Sequence, residues 1–292
     1  MSSWSNLPRL EPAKYRWIIS AADKSARRLA IGTEQWVGIK HENEKGQYDN
    51  YLSTTLRLSS SGPSLEDLHR YVASALIHLR YQHPEVAATA VWEADQPTPP
   101  TIVYTPPSIE EAQAWAADTV LLCTSSLDGH ALRIKQERLR ASNPHHGNSV
   151  SVLLSADVES PHALITENIR IVMLCRFNHI FWDAMSSRQF VGDLLRQVGV
   201  SWTKKEDPTE VAKLYSWGEE AKYLAEPLLD SLKIDVESLG QDYEAAADSF
   251  LAELMKSAVS FSKSLHQKID ADQFHVVELG TQHQQHCRYS KD

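Results

Sequence analysis

The chain has 292 residues and is acidic, with a formal net charge of -9 and an isoelectric point near 5.8. A nucleic-acid surface needs clustered Lys and Arg, so this balance argues against nucleic acid as a partner. The apolar fraction of 42% and the charged fraction of 23% are typical of a folded globular chain and exclude wholesale disorder. The apolar runs are strand-length, well below the roughly 20 residues of a spanning helix, so we expect no membrane span.

Cysteine usage and the N-terminus bear on the compartment. Cys123, Cys175 and Cys287 are widely spaced and odd in number, which is not a disulfide framework and favours a reducing compartment. Residues 1–6 show no charged segment followed by an apolar one, so we expect no signal peptide. Together these features predict a cytoplasmic protein.

The first part of the chain alternates strand and helix patterns. Residues 1–50 contain only short apolar segments and predict short strands and loops. Residues 54–58 alternate as a strand does. A capping-box pattern at 64–67 then opens a helix, which Pro84 ends. The apolar run 86–92 predicts a buried strand.

The alternation continues to about residue 200. A strand at 102–104 is followed by a second capped helix at 108–115, and two strands are predicted at 149–155 and 169–177. A helix with one apolar face follows at 183–198. This order predicts an α/β fold, a two-layer sandwich of helices on a sheet.

Beyond Pro208 the composition changes. Acidic, alanine-rich helical patterns lie near 209–225 and 242–265, and the last residues are rich in His and Gln. We therefore predict one domain at 1–200 and a helical extension with an irregular tail at 201–292.

The segment Asn178–Asp183 carries the clearest chemical signal, an H-x-x-x-D motif. A buried strand at 171–175 leads directly to His179, and Asp183 stands at the start of the next helix. At this corner Asp183 can fold back to fix the loop and the imidazole, and a buried carboxylate there would favour the positive end of the helix. Histidine is the natural base for deprotonating a hydroxyl at neutral pH. The spacing alone is also compatible with a histidine of the core or of a loop.

The residues around this motif add a family resemblance. The run 178–195 resembles the active-site segment of the chloramphenicol-acetyltransferase-like (CAT-like) superfamily, which includes the BAHD acyltransferases and the condensation domains of peptide synthetases. Within it, the fungal trichothecene 15-O-acetyltransferase-like enzymes are the most similar group. The segments 217–220 and 232–240 also resemble the sequence that follows the motif in that group.

The resemblance implies an O-acyltransferase with a CAT-like half-domain and additional C-terminal helices. His179 would take the proton from a hydroxyl of a small secondary metabolite, such as a mycotoxin, terpenoid or polyketide. That oxygen would attack an acyl-CoA, for which acetyl-CoA is the expected donor. Asp183 would hold the loop without touching substrate. No metal is implied, and no residues are identified for binding CoA.

Two departures from the family pattern keep alternatives open. Ala184 stands where the superfamily often has Gly, and Val277–Gly280 does not match the Asp-Phe-Gly-Trp-Gly-type motif of the second half. The sequence thus predicts the N-terminal half of such an enzyme. The resemblance implies a fold of two CAT-like halves around a central tunnel, which a homodimer of this chain could rebuild. The alternatives are an inactive homologue, a metabolite-binding or partner protein, and a cyclase that uses His179 as a base.

Other chemistry-bearing residues predict no further site. Cys175 is expected to be a buried, inert thiol. The segment 125–129 indicates a turn, and the basic clusters 24–28 and 135–140 indicate solvated faces. The remaining candidates have spacings that fit no standard zinc site; they are His145, His146, His275, His283, His286 and Cys287.

Overall fold

The computed structural model describes residues 12–31, 34, 49–58, 62–91, 100–142, 149–227, 230 and 249. The chain divides into two compact units, and nearly all of the described residues lie in the unit that contains Ala13–Leu228. The strands of this unit are β1 (Ile18–Ile19), β2 (Ala26–Leu29), β3 (Asn50–Leu56), β4 (Thr89–Val91), β5 (Thr101–Tyr104), β6 (Val120–Thr124), β7 (Val150–Ala156) and β8 (Ile171–Phe177). The α-helices that the structure describes over their whole length are α1 (Leu65–Gln82), α2 (Ile109–Thr119), α3 (Gly129–Ser142), α4 (Ala184–Lys204) and α5 (Pro208–Lys213).

The main sheet has the strand order β3-β8-β7-β6. β8 pairs antiparallel with both of its neighbours, and β6 pairs parallel with β7. Residues of β8 are buried along its whole length, as expected for a central strand covered on both faces. The register places Asn50 and Val150 on either side of Phe177, the last residue of β8.

The largest core lies between this sheet and the helices α1 and α4. Alternate residues of β8 (Ile171, Met173, Cys175 and Phe177) face this core, as the period of two in a strand requires. The predicted α/β sandwich of helices on a sheet is confirmed. On the other face of the sheet, Leu132 of α3 packs with residues of β6, β7 and β8.

Both predicted capping boxes are present. The Ser64 hydroxyl accepts from the backbone N–H of Asp67 and the Asp67 carboxylate accepts from the backbone N–H of Ser64, which starts α1. Ser108 and Glu111 start α2 in the same way. These reciprocal bonds satisfy helix donors that have no partner within the helix.

A second sheet of four antiparallel strands has the order β1-β2-β5-β4. Ile102 of β5 forms a small core with Ala30, Ala88 and Ile180, and Phe181 packs against it. Residues of the segment between β8 and α4 therefore pack on this second sheet.

Several predicted boundaries are corrected. The predicted buried strand at 86–92 is wrong in its first part, because Pro84–Ala87 form a 3-10 helix, and β4 spans Thr89–Val91 with Thr89 and Val91 exposed. The pattern at 209–225 is divided between α5 and a 3-10 turn at Glu220–Tyr223, with Gly218 at a positive φ of 99° between them. The strand β6 and the helix α3 were not predicted.

The remaining predictions concern the C-terminal segments, the domain division and membrane spans. The helical pattern at 242–265 and the His- and Gln-rich tail lie outside the described residues, apart from Ser249. The domain division at residue 200 stays a prediction, and α4 continues through it to Lys204. Among the described residues, no helix combines the length and the apolar character needed to cross a bilayer.

Candidate active site

The H-x-x-x-D motif forms the predicted strand-loop-helix corner between β8 and α4. Asn178 is buried and begins the turn. Its backbone N–H donates to the carbonyl of Ser149 at 2.9 Å, and its Oδ1 accepts from the backbone N–H of Ile180 at 3.1 Å. These bonds hold the chain on either side of His179.

The His179 imidazole is half-buried and is oriented by a main-chain acceptor. Its Nδ1 lies 2.7 Å from the carbonyl oxygen of Trp182. A carbonyl oxygen only accepts hydrogen bonds, so Nδ1 carries the hydrogen and donates it. In the neutral ring the lone pair is then on Nε2, which makes no hydrogen bond to any residue that the structure describes. The geometry leaves Nε2 able to accept a proton from another molecule.

A second polar side chain reaches the same carbonyl. Nδ2 of Asn50, at the start of β3, donates to the Trp182 oxygen at 3.1 Å and lies 3.4 Å from Nδ1 of His179. No sequence motif marks Asn50, and the strand was predicted to begin only at residue 54. The pairing of Asn50 with Phe177 is the signal that would have placed it beside the site.

Trp182 anchors the corner through its own side chain. Its indole N–H donates to the Ser149 hydroxyl at 2.6 Å. Its ring packs between Phe177 and Phe190, with centroids 5.3 and 5.1 Å away. The side chain is buried, with an exposed fraction of 6%. A ring fixed on both sides restricts the carbonyl of the same residue.

Asp183 acts on the helix that it precedes. Its carboxylate accepts from the backbone N–H and from the hydroxyl of Ser186, both at 2.7 Å. These hydrogen bonds, followed by smaller effects that include the nearby His179, hold the pKa of Asp183 below its ordinary value. Asp183 is exposed, so the carboxylate at the positive end of α4 is not a buried one. The imidazole is held instead by the hydrogen bond that its Nδ1–H donates to the Trp182 carbonyl.

Other predicted candidates lie apart from this corner. Cys175 is fully buried, and burial raises the pKa of its thiol to about 12, as expected of an inert thiol. In the basic cluster 24–28, Arg28 departs from the predicted solvated face, because it pairs with Glu34 at 2.6 Å and its side chain is only 11% exposed. Asp128, in the predicted turn, caps α3 by accepting from the backbone N–H of Ala131.

The sequence predicts no metal site at its His and Cys candidates, because their spacing fits no standard zinc site. His145, His146 and the His and Cys residues of the tail lie outside the described residues. Within the part of the chain that the structure describes, no group of three or more His, Cys, Asp or Glu side chains is arranged to hold a metal ion.

Comparison with known proteins identifies the family. The model of the family described as 15-O-acetyltransferase Tri3 matches residues 7–284. The chain belongs to this family. The Tri3 resemblance predicted from the motif is thereby confirmed.

Two curated members of the Tri3 family illustrate the relationship. The trichothecene O-acetyltransferase of Trichoderma arundinaceum is 37% identical over 88% of this chain and 50% of its own length. The trichothecene 15-O-acetyltransferase of Fusarium sporotrichioides is 34% identical over 87% of this chain and 50% of its own length. The chain thus spans about half the length of the curated relatives that it matches.

A solved Tri3 structure gives the same relationship in three dimensions. The trichothecene 15-O-acetyltransferase structure from Fusarium sporotrichioides superposes with a TM-score of 0.76 at 31% identity. The match covers 85% of this chain and 49% of that one. The described α/β fold is therefore that of part of a Tri3 protein.

Proposed function

We propose that this protein transfers an acetyl group from acetyl-CoA to a hydroxyl of a small metabolite, with a trichothecene as the acceptor. Membership of the Tri3 family supports the reaction class, and the names of the relatives support the acceptor. The observation that carries the proposal is the geometry of His179, whose Nδ1–H is bonded to the Trp182 carbonyl at 2.7 Å. This bond leaves the lone pair of Nε2 for the substrate.

His179 acts as the general base of the proposed reaction. Nε2 takes the proton of the acceptor hydroxyl while the hydroxyl oxygen attacks the thioester carbonyl carbon. A carbon–oxygen bond forms, and the carbon–sulfur bond breaks as the tetrahedral intermediate collapses. The CoA thiolate leaves, and the His179 imidazolium gives the proton to the thiolate sulfur. The products are the acetyl ester and CoA, and the histidine is regenerated.

The residues around His179 serve this step by fixing one tautomer. The alternative tautomer, with hydrogen on Nε2, would lose the bond to the Trp182 carbonyl and would offer no lone pair to the substrate. Asp183 supports the same arrangement indirectly, because it caps α4 and so fixes the end of the loop. Its proposed role is structural.

The test is acetyl transfer by the full chain and by His179 variants. The purified protein is given acetyl-CoA and a trichothecene with a free 15-hydroxyl, and the ester is measured by mass spectrometry. His179→Ala and His179→Gln should lower the rate by about 10²–10⁴-fold, the usual contribution of a general base, while circular dichroism stays that of the wild type. Wild-type activity in both variants would contradict the assignment of the base.

The wild-type result also separates the proposal from its alternatives. Binding of the trichothecene without any ester would favour a metabolite-binding protein. Conversion of the acceptor without consumption of acetyl-CoA would favour the cyclase. Ester formation with equal release of CoA thiol is the outcome expected here.

A further inference from the structure

We propose that Asn50 is a positioning residue for His179, acting through the carbonyl group of Trp182. The proposal rests on the proposed function for its effect on the rate, while its effect on the imidazole can be measured without any substrate. Neither the family match nor the motif assigns a role to Asn50, which lies 129 residues from His179 in the sequence.

The first step is that one oxygen atom accepts two hydrogen bonds. The Trp182 carbonyl lies 2.7 Å from Nδ1 of His179 and 3.1 Å from Nδ2 of Asn50. A carbonyl oxygen has two lone pairs, so it can accept from both donors at once. Removal of Asn50 would release one of the two groups that fix the direction of this oxygen.

The second step concerns the orientation of the Asn50 amide. An amide oxygen in place of Nδ2 would face the Trp182 oxygen at 3.1 Å, where neither atom can donate. The NH₂ group therefore faces the carbonyl. Nδ2 of Asn50 and Nδ1 of His179 both act as donors here, so their separation of 3.4 Å is not a hydrogen bond. The two nitrogens lie close together because they share the Trp182 carbonyl as acceptor.

The third step is that Asn50 is itself held in place. Its backbone pairs with Phe177 at the end of β8, directly before the corner. The preceding residue, Asp49, forms an ion pair with Arg176 at 3.4 Å, and both side chains are at least nine-tenths buried. Arg176 also donates to the Ser151 hydroxyl of β7 at 2.9 Å. The start of β3 is thus fixed across three strands.

The chemistry follows from these three contacts. Asn50 keeps the Trp182 carbonyl directed at Nδ1, and that carbonyl keeps the hydrogen of the neutral ring on Nδ1. Misdirection of the carbonyl would let the ring rotate and would raise the fraction of the Nε2–H tautomer. The expected consequence is a lower kcat with little change in KM, because a misplaced base affects the transition state more than substrate binding.

A pair of variants of similar size separates the donor from the shape of the side chain. Asn50→Leu removes the amide donor, and Asn50→Gln keeps an amide on a longer stem. Thr55→Ala is the matched control, since Thr55 is an exposed residue of the same strand. Thermal unfolding of each variant checks that the fold is retained.

The substrate-free readout is the tautomer of His179 in ¹H–¹⁵N spectra of the imidazole nitrogens. The chain has 13 histidines, so His179 is assigned by comparison with His179→Gln. We expect the Nδ1–H form in the wild type, in Asn50→Gln and in the control, and an increased Nε2–H fraction in Asn50→Leu. In the acetyl-transfer assay we expect kcat of Asn50→Leu to fall by about tenfold or more, with KM unchanged.

The outcomes are distinct for the two proposals. A wild-type tautomer and a wild-type kcat in Asn50→Leu would overturn the role of Asn50, and so would equal losses in the Leu and Gln variants. If the wild type transfers no acetyl group but the tautomer shifts in Asn50→Leu alone, the proposed function fails while the positioning role stands.

Discussion

At the residue scale, the aspartate of the H-x-x-x-D motif, Asp183, binds the backbone of the helix that follows it. Its carboxylate accepts from the N–H of Ser186 and serves as the N-cap of α4. Asn caps a helix about as well as Asp does, whereas Ala provides no acceptor. The stability of the fold should therefore distinguish these two substitutions.

We predict that Asp183→Ala lowers the free energy of unfolding by about 1 kcal/mol, the usual loss when a cap is removed. Asp183→Asn should stay close to the wild type. The measurement is denaturant unfolding at pH 7. Asp193→Ala is the control, because Asp193 lies on the same helix and pairs at the surface with Arg196, an interaction that contributes little to stability. Equal losses in Asp183→Ala and Asp193→Ala would contradict the capping role.

At the element scale, α3 begins where it approaches β3 very closely. A Cβ atom added at Gly129 would lie 2.6 Å from Cβ of Ser53 and would overlap its hydroxyl. No rotation of Ser53 moves its Cβ away, so the start of α3 needs glycine for space. At Gly192, in α4, such a Cβ would meet no described atom within 4 Å beyond its chain neighbours and the backbone of its own helix, so this glycine provides the comparison.

We predict opposite effects of the same substitution at these two glycines. Gly129→Ala should lower the free energy of unfolding by about 1–3 kcal/mol through overpacking. Gly192→Ala should raise it by up to about 1 kcal/mol, because alanine is the better helix former. Ser53→Gly combined with Gly129→Ala should recover part of the loss, as measured by a double-mutant cycle. No coupling between the two sites would exclude the overlap as the cause.

The elements that were predicted and those that were missed differ in their boundary signals. β7 and β8 are mostly apolar, and α1 has both a capping box and a proline shortly after its end. β6 was missed because it starts at Val120 directly after α2 ends at Thr119, so no turn residues separate helix from strand. α3 was missed because its charged residues leave little apolar periodicity. Elements bounded by caps, prolines or turn residues could be predicted, whereas elements without such boundary signals could not.

At the scale of the whole molecule, a half-buried polar cluster ties the C-terminal part of the described unit to α1. Glu206 accepts from the Ser201 hydroxyl at 2.7 Å and lies 3.0 Å from Nε2 of His78, in α1. The other ring nitrogen of His78 lies 2.5 Å from the Tyr215 hydroxyl, and Lys204 is 3.7 Å from the same carboxylate. Burial raises the pKa of Glu206, but the bonds from Ser201 and His78 outweigh it and hold the pKa below its ordinary value.

This shift predicts a specific form of acid sensitivity. Because the folded protein has the lower pKa, the stabilisation is complete above the unfolded value, about 4.3, and is lost as pH falls through the folded value. Glu206→Gln removes this titration. We expect the free energy of unfolding to fall more steeply between pH 5 and pH 3 in the wild type than in Glu206→Gln, as measured by urea titrations at each pH. Parallel slopes for the two proteins would contradict the assignment.

The sequence predicts only those residues of the candidate site that lie close together along the chain. His179 and Asp183 are four residues apart on a strand-loop-helix corner, and their pattern is legible in the sequence. Asn50 starts β3 and Ser149 directly precedes β7, and only the pairing of these strands with β8 brings the two residues to the corner. The Trp182 acceptor is a main-chain atom, which no residue type reveals. Contacts of this kind depend on tertiary structure that a single sequence does not encode locally.

The use of a main-chain oxygen to orient His179 has a consequence for the divergence of this protein. Every amino acid has a carbonyl group, so a substitution of Trp182 keeps the acceptor atom and alters only the packing that directs it. Substitutions of residue 182 should therefore weaken the orientation of His179 gradually. A side-chain acceptor would instead be removed completely by a single substitution. Replacement of the 182–183 amide by an ester would weaken that acceptor without changing any side chain. Such a backbone edit would reach a part of the site that ordinary mutagenesis cannot.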